Sequence, residues 1–229
     1  KRLYSDRGAE MLPLLDRLDV LAANPFQRIG ALLLRSDYSM HRKERFDDGI
    51  AAAERAVELA THAGLEWFRV GGTLNVAILH AMQGRYARAA QMAEALLSEA
   101  RRWPDPAQRC NLLGKIGYVL DRAGQTARAA ELYDDAAADA RACGYATTQI
   151  TALASSATAR LRLGRPADAL DRLARSDALR VAHDKLEGVG DANDWTSAMA
   201  LRQLGRHGEA LARAQVAIEA MRRRAPGNL

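Results

Sequence analysis

Aromatic residues are scarce in this chain of 229 residues, at 5%, and alanine is abundant instead. Such a composition does not suit a β-sandwich; small and aliphatic side chains pack helix against helix. Cysteine is almost missing: Cys110 and Cys143 stand far apart, without CxxC spacing. They make neither a disulfide framework nor a zinc motif, and two thiols in a reducing cytoplasm are expected. No apolar run approaches the roughly 20 residues of a membrane-spanning helix, and no charged-then-apolar leader opens the chain. A soluble, cytoplasmic protein is therefore expected.

Charge of one sign never accumulates. The net charge is +5, but 33 basic residues are interleaved with 28 acidic ones and no basic arm or block is present, so nucleic-acid contact is not expected. Catalytic signatures are missing as well. His41, His62, His80, His183 and His207 stand apart; there is no HExxH, no GxSxG, no phosphate loop and no GxGxxG before a helix. His183-Asp184 could be a base and its orienter, but connections between helices are rich in such residues by default. No enzyme activity, cofactor or metal is expected.

A hydrophobic content of 48% is enough for a substantial core. Its arrangement is periodic. Gly84, Gly124, Gly164 and Gly205 fall at intervals of forty or forty-one, and a fifth mark without glycine falls at Glu44. Five residues past each mark stands a small residue, namely Gly49, Ala89, Ala129, Ala169 and Ala210; seven before it stand Ala77, Gly117, Ala157 and Ala198, with Asp37 breaking the column. Two small columns flanking one turn let two antiparallel helices approach closely, so the unit is a helical hairpin.

Punctuation halfway between the marks, at Gly64, Pro104, Gly144 and Asp184, separates one hairpin from the next. Asn24 before Pro25 and Asp105 before Pro106 read as N-caps. First helices are predicted at 24–42, 65–83, 106–123, 146–163 and 187–204, and second helices at 6–22, 46–62, 86–102, 126–142, 166–182 and 207–223. The extra residue of the last interval belongs in the connection near "AHDK". Gly71-Gly72 requires either a late helix start or a neighbour packed tightly against it, because each glycine inside a helix costs about 1 kcal/mol relative to alanine.

These columns resemble the tetratricopeptide repeat, with a small residue in the first helix, a glycine at the turn and an alanine five positions beyond it. Ala77, Gly84 and Ala89 carry the likeness, as do Gly117, Gly124 and Ala129; Ala157, Gly164 and Ala169; and Ala198, Gly205 and Ala210. The period is longer than the family's usual 34, and its proline at the end of the second helix is absent except at Pro104. Units of about forty are similar to the superhelices behind the ATPase domain of large bacterial signal-transduction regulators, including the maltose-regulator type of transcription activator.

The resemblance implies an all-α fold: a right-handed superhelix of about five to six hairpins, with residues 1–229 forming a single solenoid domain. Lys1 opens the chain in mid-repeat, so a piece of a longer protein is expected. The family's first helices line a concave groove, and its inner positions correspond here to Tyr38, His41 and Arg42; to Gly71, Leu74, Ile78 and Met82; to Asn111, Tyr118, Asp121 and Arg122; to Thr151, Thr158, Leu161 and Arg162; and to Trp195, Met199, Arg202 and Gln203. Tyr38, Tyr118 and Trp195 are either anchors or core, with Trp195 expected to be exposed.

Arg42, Arg122 and Arg162 share one column, broken by Met82, with Arg202 one place off it. Stacked arginines suit a carboxylate, a phosphate or an acidic peptide; a cation in a helix's last turn also offsets the macrodipole with no ligand at all. The function expected is a sensor or scaffold of a bacterial regulator that binds a protein, a peptide or a small acidic effector. A self-associating homodimer is the alternative.

Overall fold

The computed structural model describes residues 8–43, 45–183 and 193–224. Eleven helices occur among them. They are α1 (Gly8–Leu21), α2 (Pro25–Arg42), α3 (Phe46–His62), α4 (Glu66–Met82), α5 (Tyr86–Arg101), α6 (Pro106–Arg122), α7 (Thr126–Ala142), α8 (Ala146–Arg162), α9 (Pro166–Ala182), α10 (Asn193–Gln203) and α11 (His207–Arg224). At every end that the described residues include, predicted and observed bounds differ by no more than one residue. The predicted first turns of α10 at 187–192, and the insertion near Asp184, lie outside them.

Local chemistry explains the starts and stops. Asn24 caps α2 by accepting the Gln27 N–H at 2.9 Å, and the Gln27 side chain accepts the Ala23 N–H at 2.9 Å, which satisfies two of the donors a helix start leaves over. Asp105 likewise accepts from the Ala107 N–H. At the end of α4, Gly84 adopts φ +80°; its N–H donates to Ala81, and the Arg85 N–H reaches back to His80 at 2.9 Å. Only glycine takes that left-handed conformation at no steric cost. The same closure recurs at Gly124, Gly164 and Gly205, and equally between hairpins at Gly64 and Gly144. Where the first mark lacks glycine, Lys43 and Arg45 are themselves left-handed, at φ +55° and +54°.

The chain divides into two compact units, 1–98 and 99–229. In the first, α2 packs on α3, α3 on α4, and α2 beside α4. Ile50, Ala53, Val76 and Leu79 form its core with Met40, Phe46 and Met92 around them, while Ile29, Ala56 and Ala60 form a second cluster beneath Phe68 and Leu65. In the second unit α6 packs on α7, α7 on α8, α8 on α9, α9 on α10 and α10 on α11, and the first helices α6, α8 and α10 run side by side.

The small columns sit where the backbones come close. Ala77, Ala89, Ala129, Ala157 and Ala169 are fully buried. In the α6–α7 hairpin a Cβ at Gly117 would lie 3.0 Å from the ring of Tyr133; in α8–α9, Ala157 shares a cluster with Leu173, which occupies the column of Tyr133. A larger side chain on one helix is thus met by a smaller one on the other. Asp37, the break in the column, is half-buried and accepts from the Asn75 amide of α4 at 3.1 Å.

Tight packing also accounts for Gly72. Its Cβ would lie 2.8 Å from Val57, whereas Gly71 has nothing within 4 Å. At Gly49 a Cβ would meet the Ser39 Cβ at 2.6 Å, a contact no rotamer can relieve. Gly71→Ala is therefore expected to raise stability by about 0.5–1 kcal/mol through helix propensity alone, and Gly49→Ala to lower it by about 1–3 kcal/mol through overpacking. Denaturant titration of the two variants reads both signs; a loss for Gly71→Ala or a gain for Gly49→Ala would contradict the packing.

Candidate functional site

The first helices α6 and α8 bring a set of polar side chains to one face of the second unit. Tyr118, Asn111 and Arg122 of α6 are exposed there, as are Thr151 and Arg162 of α8, with Thr158 half-buried between them. The residues alternating with these, Leu112, Leu113, Ile116, Val119 and Leu120 on α6 and Ala152, Leu153 and Ala159 on α8, are buried. Helical spacing alone thus separates the core stripe from the open stripe.

Hydrogen bonding sets what the face can offer. Thr151 and Thr158 donate their hydroxyl protons to the carbonyls of Thr147 and Ala154, and the Asn111 amide donates to Ala107. Each side-chain oxygen therefore remains an acceptor. Arg162 donates to Asp121 at 2.5 Å across the α6–α8 boundary; the aspartate side chain is 9% exposed and the arginine 51%. Behind the pair, burial raises the pKa of the Tyr133 hydroxyl and the Asp121 carboxylate adds to the effect. The face carries acceptors from threonine and asparagine, donors from arginine and the ring of Tyr118.

Not all predicted inner positions reach a surface. Leu74 and Ile78 are 0% and 8% exposed, because α4 is buried at every residue from Leu74 to Ala81, Asn75 and His80 included. Leu161 and Tyr38 are buried too, at 6% and 4%, the ring of Tyr38 lying in the α2 core as its apolar area favours. The predicted inner positions Leu74 and Ile78 are thus core, with Met82 half-buried at its edge. Gly71 is half-buried in α4, while His41 and Arg42 are exposed at the end of α2, in the first unit.

The arginines occupy last turns. Arg42, Arg122 and Arg162 each end their helix, where a cation offsets the macrodipole. Arg122 and Arg162 share the α6–α8 face, and the charge of Arg162 is already offset by Asp121.

Trp195, Met199 and Arg202 line a cleft of about 340 Å³ between α10 and α11, together with Ala198, His207, Ala210, Leu211 and Ala214. Gln203 is exposed at the end of α10. The α11 contributions escape a reading confined to first helices. Their signal in the sequence is a column six past each mark, Ile50, Ala90, Ala130 and Leu170, which continues at Leu211. A second cleft, of about 300 Å³, opens between α1 and α2 in the first unit, lined by Leu18, Leu21, Ala22, Gln27, Gly30, Ala31 and Leu34.

Among the described residues no group of three or more His, Cys, Asp or Glu side chains could hold a metal ion, and no helix is long and apolar enough to cross a membrane. Cys110 is buried, and that burial, with Cys143 nearby, pushes its thiol up to about 11. It stays protonated at neutral pH. His80 is buried as well; desolvation lowers its pKa, and the charges of Arg88 and Arg85 lower it further.

No protein-family model and no curated protein matches the chain. Solved structures do. BtubC (BKLC) from P. vanneervenii superposes with a TM-score of 0.74 at 14% identity, covering 99% of this chain and 93% of that one. Nearly identical TPR-like repeats attributed to a Podosopora anserina kinesin light chain give 0.70 at 14% identity, over 88% and 98%. NprR in complex with its cognate peptide NprX gives 0.62 at 17% identity, over 96% of this chain and 64% of that one. The fold is that of TPR-like repeat proteins. Identities this low carry the TPR-like fold and no ligand with it.

Proposed function

We propose that the protein is a TPR-like scaffold, without enzymatic activity, that binds a protein or peptide on the α6–α8 face. One observation carries this reading: a row of hydrogen-bonding side chains and an exposed tyrosine stand on two packed helices, α6 and α8, beside a buried apolar stripe. Peptide N–H groups meet the oxygens of Thr151, Thr158 and Asn111, peptide carbonyls meet the guanidiniums, and Tyr118 supplies apolar area at small entropic cost. The likeness to NprR, solved with its cognate peptide, supports the ligand class.

A peptide fits this face better than a small acidic effector. An anion at Arg162 would compete with a carboxylate already bound there, whereas a peptide uses the acceptors and the ring as well. The forty-residue period supports a place within a bacterial signalling or transcriptional regulator, working in the cytoplasm.

The test uses peptides selected from a random display library against the full chain. Tyr118→Ala and Arg122→Glu are each expected to weaken the selected peptide about tenfold, or ~1.4 kcal/mol, and Leu211→Arg, on the α10–α11 cleft, to leave it unchanged. Calorimetric titration with equal affinities for the wild type, Tyr118→Ala and Arg122→Glu would remove this face from the function.

A further inference from the structure

The chain has two cysteines, far apart in the sequence, and the α6–α7 hairpin brings them together. Cys110 stands in the second turn of α6, and Cys143 follows directly on the end of α7. The start of one antiparallel helix lies against the end of the other, and a two-pronged ion pair sets the register there: Arg109 donates to both oxygens of Asp139, at 2.6 and 2.5 Å. Cys110 is the residue after that arginine. Cys143 lies one turn beyond that aspartate, its N–H bonded to the Asp139 carbonyl at 3.1 Å. Side chains tilt toward the start of their own helix, which carries the Cys143 sulfur back to the level of Asp139 and the Cys110 sulfur toward the end of α7. The two thiols meet there as hydrogen-bonding neighbours.

The surroundings of the two sulfurs differ. Cys110 is fully buried and Cys143 half-buried. Each donates its proton to a carbonyl of its own helix, Cys110 to Ala107 at 3.1 Å and Cys143 to Ala140 at 3.4 Å. A small oxidant arriving from water therefore meets Cys143 first, with Cys110 behind it as the sulfur that can complete a bond. Packing alone does not call for sulfur at Cys110: the same column carries Val70 and Ile150 in the neighbouring hairpins, both fully buried.

We propose that Cys110 and Cys143 are a modification site at which a peroxide forms a reversible disulfide, stapling the start of α6 to the end of α7. Cys143 gives up its proton and attacks one peroxide oxygen; the O–O bond breaks, the departing hydroxide takes that proton as water, and the sulfur becomes a sulfenic acid. Cys110 then attacks that sulfur. The S–S bond forms, the S–O bond breaks, and the hydroxyl leaves with the Cys110 proton as a second water. Two thiols have lost two electrons and two protons, and the peroxide has become water. Because the hairpin holds the second sulfur in place, this step is intramolecular and outpaces further oxidation of Cys143. A thiol reductant reverses the bond by exchange. The site is separate from the α6–α8 face and stands whether or not that face binds peptide.

The test treats the reduced full chain with a small excess of hydrogen peroxide at neutral pH, then blocks the remaining thiols with iodoacetamide in urea. The wild type is expected to become about 2 Da lighter than the reduced protein and to take up no label. Trypsin should release fragments 110–115 and 142–160 as one linked species, and dithiothreitol should restore both thiols. In Cys110→Ala the sulfenic acid on Cys143 has no partner, so dimedone should trap at least tenfold more of it than in the wild type; Cys143→Ser should slow the loss of the Cys110 thiol at least tenfold. Circular dichroism melting checks that both variants fold, and if Cys110→Ala melts early, the wild type and Cys143→Ser carry the test. Cys143 recovered as sulfinic acid with Cys110 still alkylated overturns the proposal, as does a Cys143→Ser protein that loses its Cys110 thiol as fast as the wild type. A disulfide that joins two copies, seen on a non-reducing gel in place of the link within one chain, overturns it too.

Discussion

Replacing Asp134 by alanine is expected to lower the stability of the second unit by about 3 kcal/mol or more. Asp134 of α7 accepts from the Ser156 hydroxyl and the Arg160 guanidinium of α8, both at 2.6 Å, and from Arg172 of α9 at 3.2 Å. One carboxylate thus joins three consecutive helices. The Arg160 side chain is only 10% exposed, so truncation strands a guanidinium away from water, with a second beside it. Burial works to raise the Asp134 carboxyl, but the Ser156 hydrogen bond and Arg172 outweigh it and hold the pKa below the ordinary aspartate range.

That direction fixes the pH dependence. The charged carboxylate contributes its full stabilisation above the unfolded aspartate value, and loses it as pH falls through that value toward the lowered one. Thermal melts of wild type and Asp134→Ala should therefore lie far apart at neutral pH and converge in acid. A constant gap across the series would mean that the loss is one of packing rather than charge.

Leu79→Ala is expected to cost about 2–5 kcal/mol, the range for such truncations. Leu79 is fully buried between Ile50, Ala53 and Val76, and its Cδ1 would be 3.2 Å from a Cβ at Gly49. Met40, Phe46 and Met92 close the cluster around them, and the cost is the lost burial plus whatever cavity those side chains do not fill. Hydrogen exchange should show faster opening across α3 and α4, with α7–α9 little changed. Uniform acceleration over both units, or a loss below about 1 kcal/mol, would be inconsistent with a close-packed core at Leu79.

Most of the fold was legible in the sequence, because the signals that set it are local. Glycine is needed where the backbone is left-handed, Asn24 and Asp105 where a helix start lacks partners, and alanine where two helices touch; each leaves its mark at a fixed interval. Lys43 and Arg45 show the limit, since a left-handed turn was made there without its usual residue. The site was less legible. Inner positions were assigned by column, but a column fixes only the direction of a side chain and not what covers it. Leu74, Ile78 and Tyr38 share columns with exposed residues of other hairpins and are buried, and Arg162 is paired with Asp121 of the preceding hairpin. Those differences arise from neighbours one repeat away.

The fit of Gly117 beneath Tyr133, beside that of Ala157 with Leu173, bears on how such a chain can grow by duplication. Bulk removed from one helix of a hairpin is returned on the other, so each hairpin is balanced within itself. An exchange that cut at a hairpin turn would place Tyr133 over an alanine or leave Gly117 over a void. One that cut between hairpins would carry both partners together. For this fit whole hairpins are therefore the pieces that move together and single helices are not, while the Asp134 network ties α6–α7 to α8–α9 and would have to be matched at the new neighbour.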